Sequence, residues 1–470
     1  MDERIKRIII LIFSVLFCVG CILAILYSQG YRFDFRNKKF IKTGGLFLKI
    51  IPRQSEVYLD GKFKKKTNIL FGEVFFNNLI PRKYKITIQK EGYFPWEKSL
   101  EVKSGVVTEA KKIILFPKNL EFLALDSKIK EFTFSPDTKK IALQKINKMG
   151  WEVYLFYLRD NSCQKLATES DLKKIISKKY PSELKLSKII WSPDSTKIIL
   201  QLNTKQKTKY FLKDLSNPAN EVIYLPHLDN TREVFFNPLN HQELFFIKTI
   251  NNTPTLFKTK YQENNLPELI ATSTVTYTPF SKNIYYLDKR GLLYKIELTK
   301  DRRETLTNFA FSLNKGSKYK IEIIHNELFL REDDVLYRLN PDSRELEKIS
   351  GAVNKLKISP DSKKLMIAND SEIQIFFLED ILSQQPERKK QEKVFLARFS
   401  QKINDIFWLN NDYLIFTTSD KIKISEIDNR DTINIINIAK FENPKIFFNR
   451  TNKKLYVLSN GTLYISETLF

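Results

Sequence analysis

The chain has 470 residues, too many for one ordinary domain, and at 42% hydrophobic and 13% aromatic it can build more than one substantial core. A formal net charge of +24 predicts attraction to polyanions (nucleic acid, anionic lipid or anionic wall polymer), although the lysines are spread along the chain as a compositional bias would also leave them. Only three cysteines occur, two of them inside an apolar run, which excludes a disulfide framework.

Residues 1–7 form a short basic tail carrying Arg4, Lys6 and Arg7. Residues 8–27, IIILIFSVLFCVGCILAILY, are uncharged and apolar. At about 1.5 Å per residue they can cross a hydrocarbon layer of ~30 Å. A cleaved signal would have a shorter apolar part ending in small residues. A lipid-acceptor Cys21 would want Leu where Cys18 stands, and the chain stays apolar beyond it. We therefore expect an uncleaved, single-pass anchor in the cell membrane. Residues 28–43, a juxtamembrane linker, hold Arg32, Arg36, Lys38, Lys39 and Lys42. That count alone would keep the bulk inside. A very short basic tail usually stays cytoplasmic, however, and large domains translocate largely regardless of charge. The bulk is expected outside.

From residue 44 the pattern turns to short alternating strands, with Tyr84, Ile86 and Ile88 on one face and a hairpin signal at Asp60-Gly61. Pro52, the run Val57-Tyr58-Leu59-Asp60-Gly61-Lys62, Thr67, Leu79-Ile80-Pro81, Tyr84 and Lys90-Glu91-Gly92-Tyr93 together resemble a PEGA domain over residues 44–116. The namesake tetrapeptide is here Pro52-Arg53-Gln54-Ser55, and the hairpin glycine is replaced near Arg82-Lys83. The resemblance implies a small β-sandwich of bacterial or archaeal envelope proteins and carries no catalytic residues. Lys62, Lys64, Lys65 and Lys66 read as a basic loop, either solvated or touching anionic headgroups or a wall polymer.

Residues 117–470 repeat. FTFSPDTKKIAL, IIWSPDSTKIIL and LKISPDSKKLMI place Ser135-Pro136-Asp137, Ser192-Pro193-Asp194 and Ser359-Pro360-Asp361 between paired strands. Weaker variants stand at Asn237-Pro238, Thr278-Pro279 and Asn449-Arg450. Four-strand units recurring in this way predict a β-propeller of eight blades, or seven if the fifth unit is not one. The last unit has three strands, so residues 120–126 are expected to supply its fourth and close the ring. The turns resemble those of TolB-type, WD40-like repeats, whose turn glycine is here Thr138, Ser195 or Ser362. Turn chemistry accounts for the three Asp without a metal.

Little else reads as chemistry. His227, His241 and His325 match no zinc spacing, no nucleophile elbow or phosphate loop occurs, and no cofactor or metal site is expected. Asp333-Asp334 reads as a solvated hairpin turn. Two insertions stand out. Residues 168–186 read as an amphipathic helix with Leu172, Ile175 and Ile176 on one side, and residues 379–393 are polar and charged. Either can bind a partner or be a tolerated surface loop. The overall expectation is an all-β, non-enzymatic binding or scaffolding protein of the envelope, whose partner is another envelope protein or an anionic glycopolymer. An enzyme with its site at the propeller mouth, and a cytoplasm-facing polyanion binder, are the alternatives. Nucleic acid is disfavoured by the absence of a recognition motif.

Overall fold

The structure is a computed structural model that describes residues 3–34, 38–176, 184–205, 207–217, 221–262, 266–382 and 385–470. Arg36, residues 177–183 of the first insertion and residues 383–384 of the second lie outside the described residues.

Helix α1, Glu3–Ser28, is long and apolar enough to cross a membrane, and none of its apolar window is buried against the rest of the chain. The segment after it is a hairpin in which Tyr31–Asp34 pairs with Lys39–Lys42. The hairpin returns the chain to its start. Thr43 donates its amide to the Gly30 carbonyl at 2.9 Å, so the next domain begins beside the end of α1.

That domain is two sheets packed face to face. One orders its strands Glu73–Leu79, Gly44–Ile51 and Val107–Ile114, the last pair parallel. The other orders Lys62–Lys66, Glu56–Leu59, Arg82–Gln89 and Trp96–Val102. Alternation along each strand fills the space between them with Leu46, Leu48, Ile50, Val57, Ile86, Ile88 and Leu100. Lys62–Lys66 is thus an edge strand rather than a loop, exposed throughout. A lysine-rich edge is one of the ways proteins discourage pairing with a foreign strand.

Beyond residue 117 the described residues form eight four-stranded antiparallel sheets, seven from consecutive strands. The eighth combines Lys445–Asn449, Lys454–Ser459 and Thr462–Thr468 with Phe122–Asp126, so both ends of the repeat region share one sheet. The architecture is a β-propeller. Second strands are buried on both faces, as Leu414, Ile415 and Phe416 are, which is why they read as unbroken apolar runs. Inner strands alternate instead, as in Ile129–Phe134.

The Ser-Pro-Asp turns repeat one geometry. Ser135 Oγ donates to Asp137 Oδ1 at 2.5 Å and accepts from the Lys140 amide at 3.0 Å. Ser192 with Asp194, and Ser359 with Asp361, do the same. The following residue takes positive φ at Thr138, Ser195 and Ser362, the conformation for which glycine is the usual residue. The turns also join sheets. The Asp137 amide donates to Ser195 Oγ at 3.1 Å, and His241 Nδ1 lies 2.8 Å from Asp194 Oδ2.

The first insertion forms α2, Glu169–Ile176, and packs rather than projects. Leu172 is buried and Ile176 packs beside it between the first two sheets, but Ile175 turns to solvent because only part of the helix faces the core.

Candidate functional site

Two features set the geometry in which this protein can act, the seam between the small sandwich and the propeller, and the propeller axis.

At the seam, one edge of the sandwich lies against the sixth to eighth propeller sheets. Lys98 is a core-facing position of Trp96–Val102 with a fully buried side chain. Its Nζ sits 2.6 Å from Glu426 Oε1 and 3.9 Å from Asp428 Oδ1. A buried ammonium is tolerated only with such partners. Trp96 Nε1 donates to the second Glu426 oxygen at 2.8 Å. Burial opposes ionisation of Asp428, but hydrogen bonds from Arg430 and the charge of Lys98 outweigh it and hold the carboxyl below its ordinary range. Edge backbone groups are covered as well. Asn434 Nδ2 donates to the Glu97 carbonyl at 3.0 Å, and the Ser99 amide donates to Asp431 Oδ2 at 2.7 Å.

The parallel strand Val107–Ile114 completes the contact. The Ile114 amide donates to Tyr413 Oη at 3.0 Å, and Ile114 and Phe116 enter the apolar core of the last two sheets. Lys112 pairs with Asp412 at 2.9 Å. Gln385, from the second insertion, accepts from the Glu109 amide at 2.9 Å and donates to the Val107 carbonyl at 3.1 Å. Arg430 donates to the Glu109 carbonyl at 2.8 Å. Between these contacts remains a cavity of about 110 Å³ bordered by Trp96, Ala110, Lys364, Gln385, Asp412 and Arg430. Its walls are largely satisfied by one another, so the seam is built to hold two bodies together.

The axis is built by register. In each propeller sheet the inner-strand residue opposite the first buried second-strand residue of the paired ladder marks a common position, for example Phe134 opposite Ile141, Ile358 opposite Leu365 and Phe448 opposite Leu455. Three residues earlier stand Glu131, Lys188, Glu233 and Thr276 in the first four sheets, and Lys320, Lys355, Asp405 and Lys445 in the last four. Several of these residues link neighbouring sheets. Lys445 pairs with Glu131, and Asp405 Oδ2 accepts from the Ile446 amide at 3.0 Å. Glu233 Oε2 accepts from Thr276 Oγ1 at 2.9 Å. Burial pushes the Glu233 carboxyl up. Burial also pushes the amines of Lys355 and Lys357 below the ordinary lysine value, against the attraction of Asp405. Lys357 lies over the Phe407 ring at 5.0 Å.

Of the residues singled out in the sequence, Lys62, Lys64, Lys65 and Lys66 lie on the sandwich edge opposite the seam. The nine Ser-Pro-Asp residues form three inner hairpin turns and touch neither the lysine edge nor the seam, except Asp361, which pairs with Lys364 on the cavity wall at 2.6 Å. His227 stays partly desolvated in a short 3-10 turn, and His325 pairs with Glu379 at 2.9 Å. Among the described residues no three His, Cys, Asp or Glu side chains are grouped to hold a metal ion. Lys98, Glu426 and Asp428 were not legible as a site, because their partners lie more than three hundred residues apart.

No family model and no curated protein matches the chain. Among solved structures it is similar to the β-propeller domain of Myceliophteria thermophila Cps50 (Swd1), at 14% identity over 75% of this chain and 100% of that one, with a TM-score of 0.42. It is similar to the Dos1 propeller, at 13% identity over 74% and 94% of the two chains, with a TM-score of 0.45. It is also similar to an oligogalacturonate lyase in complex with manganese, at 12% identity over 76% and 96%, with a TM-score of 0.40.

Proposed function

We propose that this protein is a membrane-anchored, non-enzymatic scaffold of the bacterial cell envelope. In this reading α1 is an uncleaved single-pass anchor and the bulk lies outside the cytoplasm. The small sandwich is a PEGA-like spacer. The eight four-stranded sheets are eight blades of a TolB-like propeller that presents its axis to an envelope protein or an anionic glycopolymer.

The observation that carries the reading is the seam. Lys98 is buried against Glu426 and Asp428 while Tyr413 reaches the Ile114 amide, so the sandwich is a mount and not a bead on a string. Thr43 bonded to Gly30 sets that mount at the end of α1. A rigid mount between anchor and propeller is what a presented binding platform needs.

The test is protease digestion of intact and permeabilised cells, following a tag at Phe470. Loss of the tag in intact cells supports the reading. Protection until the membrane is opened overturns it and places the propeller with cytoplasmic polyanions.

A further inference from the structure

The sandwich edge opposite the propeller has an unusual surface. The strand Lys62–Lys66 in one sheet and Glu73–Leu79 in the other are both edge strands, and the turn between them joins the sheets. At its tip Ile69, Leu70 and Phe71 are exposed by 66%, 68% and 61%. Three consecutive large apolar side chains held in solvent are costly to keep. They are also held in order. Asn68 Oδ1 accepts from the Phe71 amide at 2.7 Å, and the Gly72 carbonyl accepts from the Ile50 amide at 2.9 Å. Gly72 has φ +70°, and a Cβ there would meet the Ile50 carbonyl oxygen at 2.3 Å, so the turn depends on this glycine.

Around the tip the surface is basic. Lys62, Lys64, Lys65 and Lys66 are exposed, with Phe63 exposed among them and Phe75 on the neighbouring edge. Lys65 leans across to the Phe76 ring at 5.0 Å, so the two edges form one surface.

We propose that this edge is a second membrane contact, in which Ile69, Leu70 and Phe71 enter the interface of the bilayer that α1 spans while the lysines meet anionic headgroups. The proposal rests on the anchoring reading above. Three observations select a bilayer over a protein partner. An apolar tip with a lysine rim is the composition of interfacial membrane elements. The tip sits at the far end of Gly44–Ile51, about 25 Å along a strand from the end of α1, so the tether keeps a bilayer within reach at high effective concentration. The surface also lies on the sheet edges opposite the strands that form the seam, so seating it leaves the seam contacts undisturbed.

The test uses full-length Leu70→Trp reconstituted in vesicles containing brominated lipid, with the wild-type chain as background. Phe13→Trp in α1 reports anchoring separately. We expect Leu70→Trp emission to shift to the blue and to be quenched in phosphatidylglycerol-containing vesicles, with less quenching in pure phosphatidylcholine, in high salt, or when the four lysines are changed to Gln. Quenching at Phe13→Trp without quenching at Leu70→Trp overturns this inference and leaves the anchor standing. Quenching at neither overturns the anchor, and this inference with it. Quenching at Leu70→Trp that ignores lipid charge, salt and the lysines overturns the headgroup contact.

Discussion

Lys98 and Lys64 belong to the same four-stranded sheet, at its opposite edges, and could hardly be used more differently. Lys98 has no exposed side-chain surface and is matched by Glu426, itself 5% exposed, and by Asp428. Lys64 and its neighbours lie open to solvent on an edge strand. The contrast shows that a lysine's role follows from what covers the strand. Where a second body covers the edge, the ammonium needs carboxylates and becomes part of a specific seam. Where nothing covers it, the ammonium makes at most local contacts, as Lys66 does with Glu56 and Lys65 with the Phe75 carbonyl, protects the edge from foreign strands and stays accessible to a diffuse anionic surface.

Breaking the buried side should have the largest effect. Lys98→Met leaves the buried Glu426 carboxylate without its cation, while Asp428 keeps only Arg430, and we expect a loss of about 3–5 kcal/mol in denaturant unfolding of the full-length protein in detergent. Early proteolysis near the sandwich should accompany it. An unchanged midpoint would mean that the seam does not couple the two bodies. Next comes Tyr413→Phe, which removes the acceptor of the buried Ile114 amide and should cost about 1–3 kcal/mol by the same assay.

A third prediction concerns the turns. Burial opposes ionisation of Asp137, Asp194 and Asp361, but hydrogen bonds from the turn serines and neighbouring groups outweigh it and lower all three carboxyls. A depressed folded value means that their contribution is fully present above the ordinary Asp value of 3.8 and is lost as pH falls through the folded values. Melting temperatures of the wild type should therefore fall steeply below about pH 4, and Asp194→Asn should flatten that fall. Ser192→Ala should cost about 1 kcal/mol at neutral pH. The smallest effect belongs to the open edge. Changing Lys62, Lys64, Lys65 and Lys66 together to Gln should leave unfolding within about 0.5 kcal/mol of wild type. A large loss there would erase the contrast between the two edges.

Much of this architecture is written locally. Tyr84, Ile86 and Ile88 alternate because one face of their strand meets a core, and Ser-Pro-Asp marks a turn because serine, proline and aspartate each favour it for a local reason. The strand Lys62–Lys66 was hidden, since an edge with a single apolar residue has no burial period and forms through backbone pairing with Glu56–Leu59. Ile175 was misplaced because a helix lying on one groove buries a narrower stripe than its apolar residues mark. The seam was illegible for a different reason. Nothing near Lys98 in the chain is its partner, and a buried lysine in an alternating strand looks the same as a solvated one until the fold brings Glu426 to it. The axial charges stand between, visible as polar positions in each strand but ordered into a ring only when the sheets are set in register.

We propose that α1, which is long and apolar enough to cross a membrane, holds the propeller outside it. Cys18 and Cys21 lie within α1, and Cys163 is exposed on the first propeller sheet. A membrane-impermeant maleimide applied to intact cells therefore reads the position of the propeller through a native residue. The account predicts labelling of Cys163 in intact cells, abolished by Cys163→Ser. Labelling that appears only after permeabilisation would contradict it.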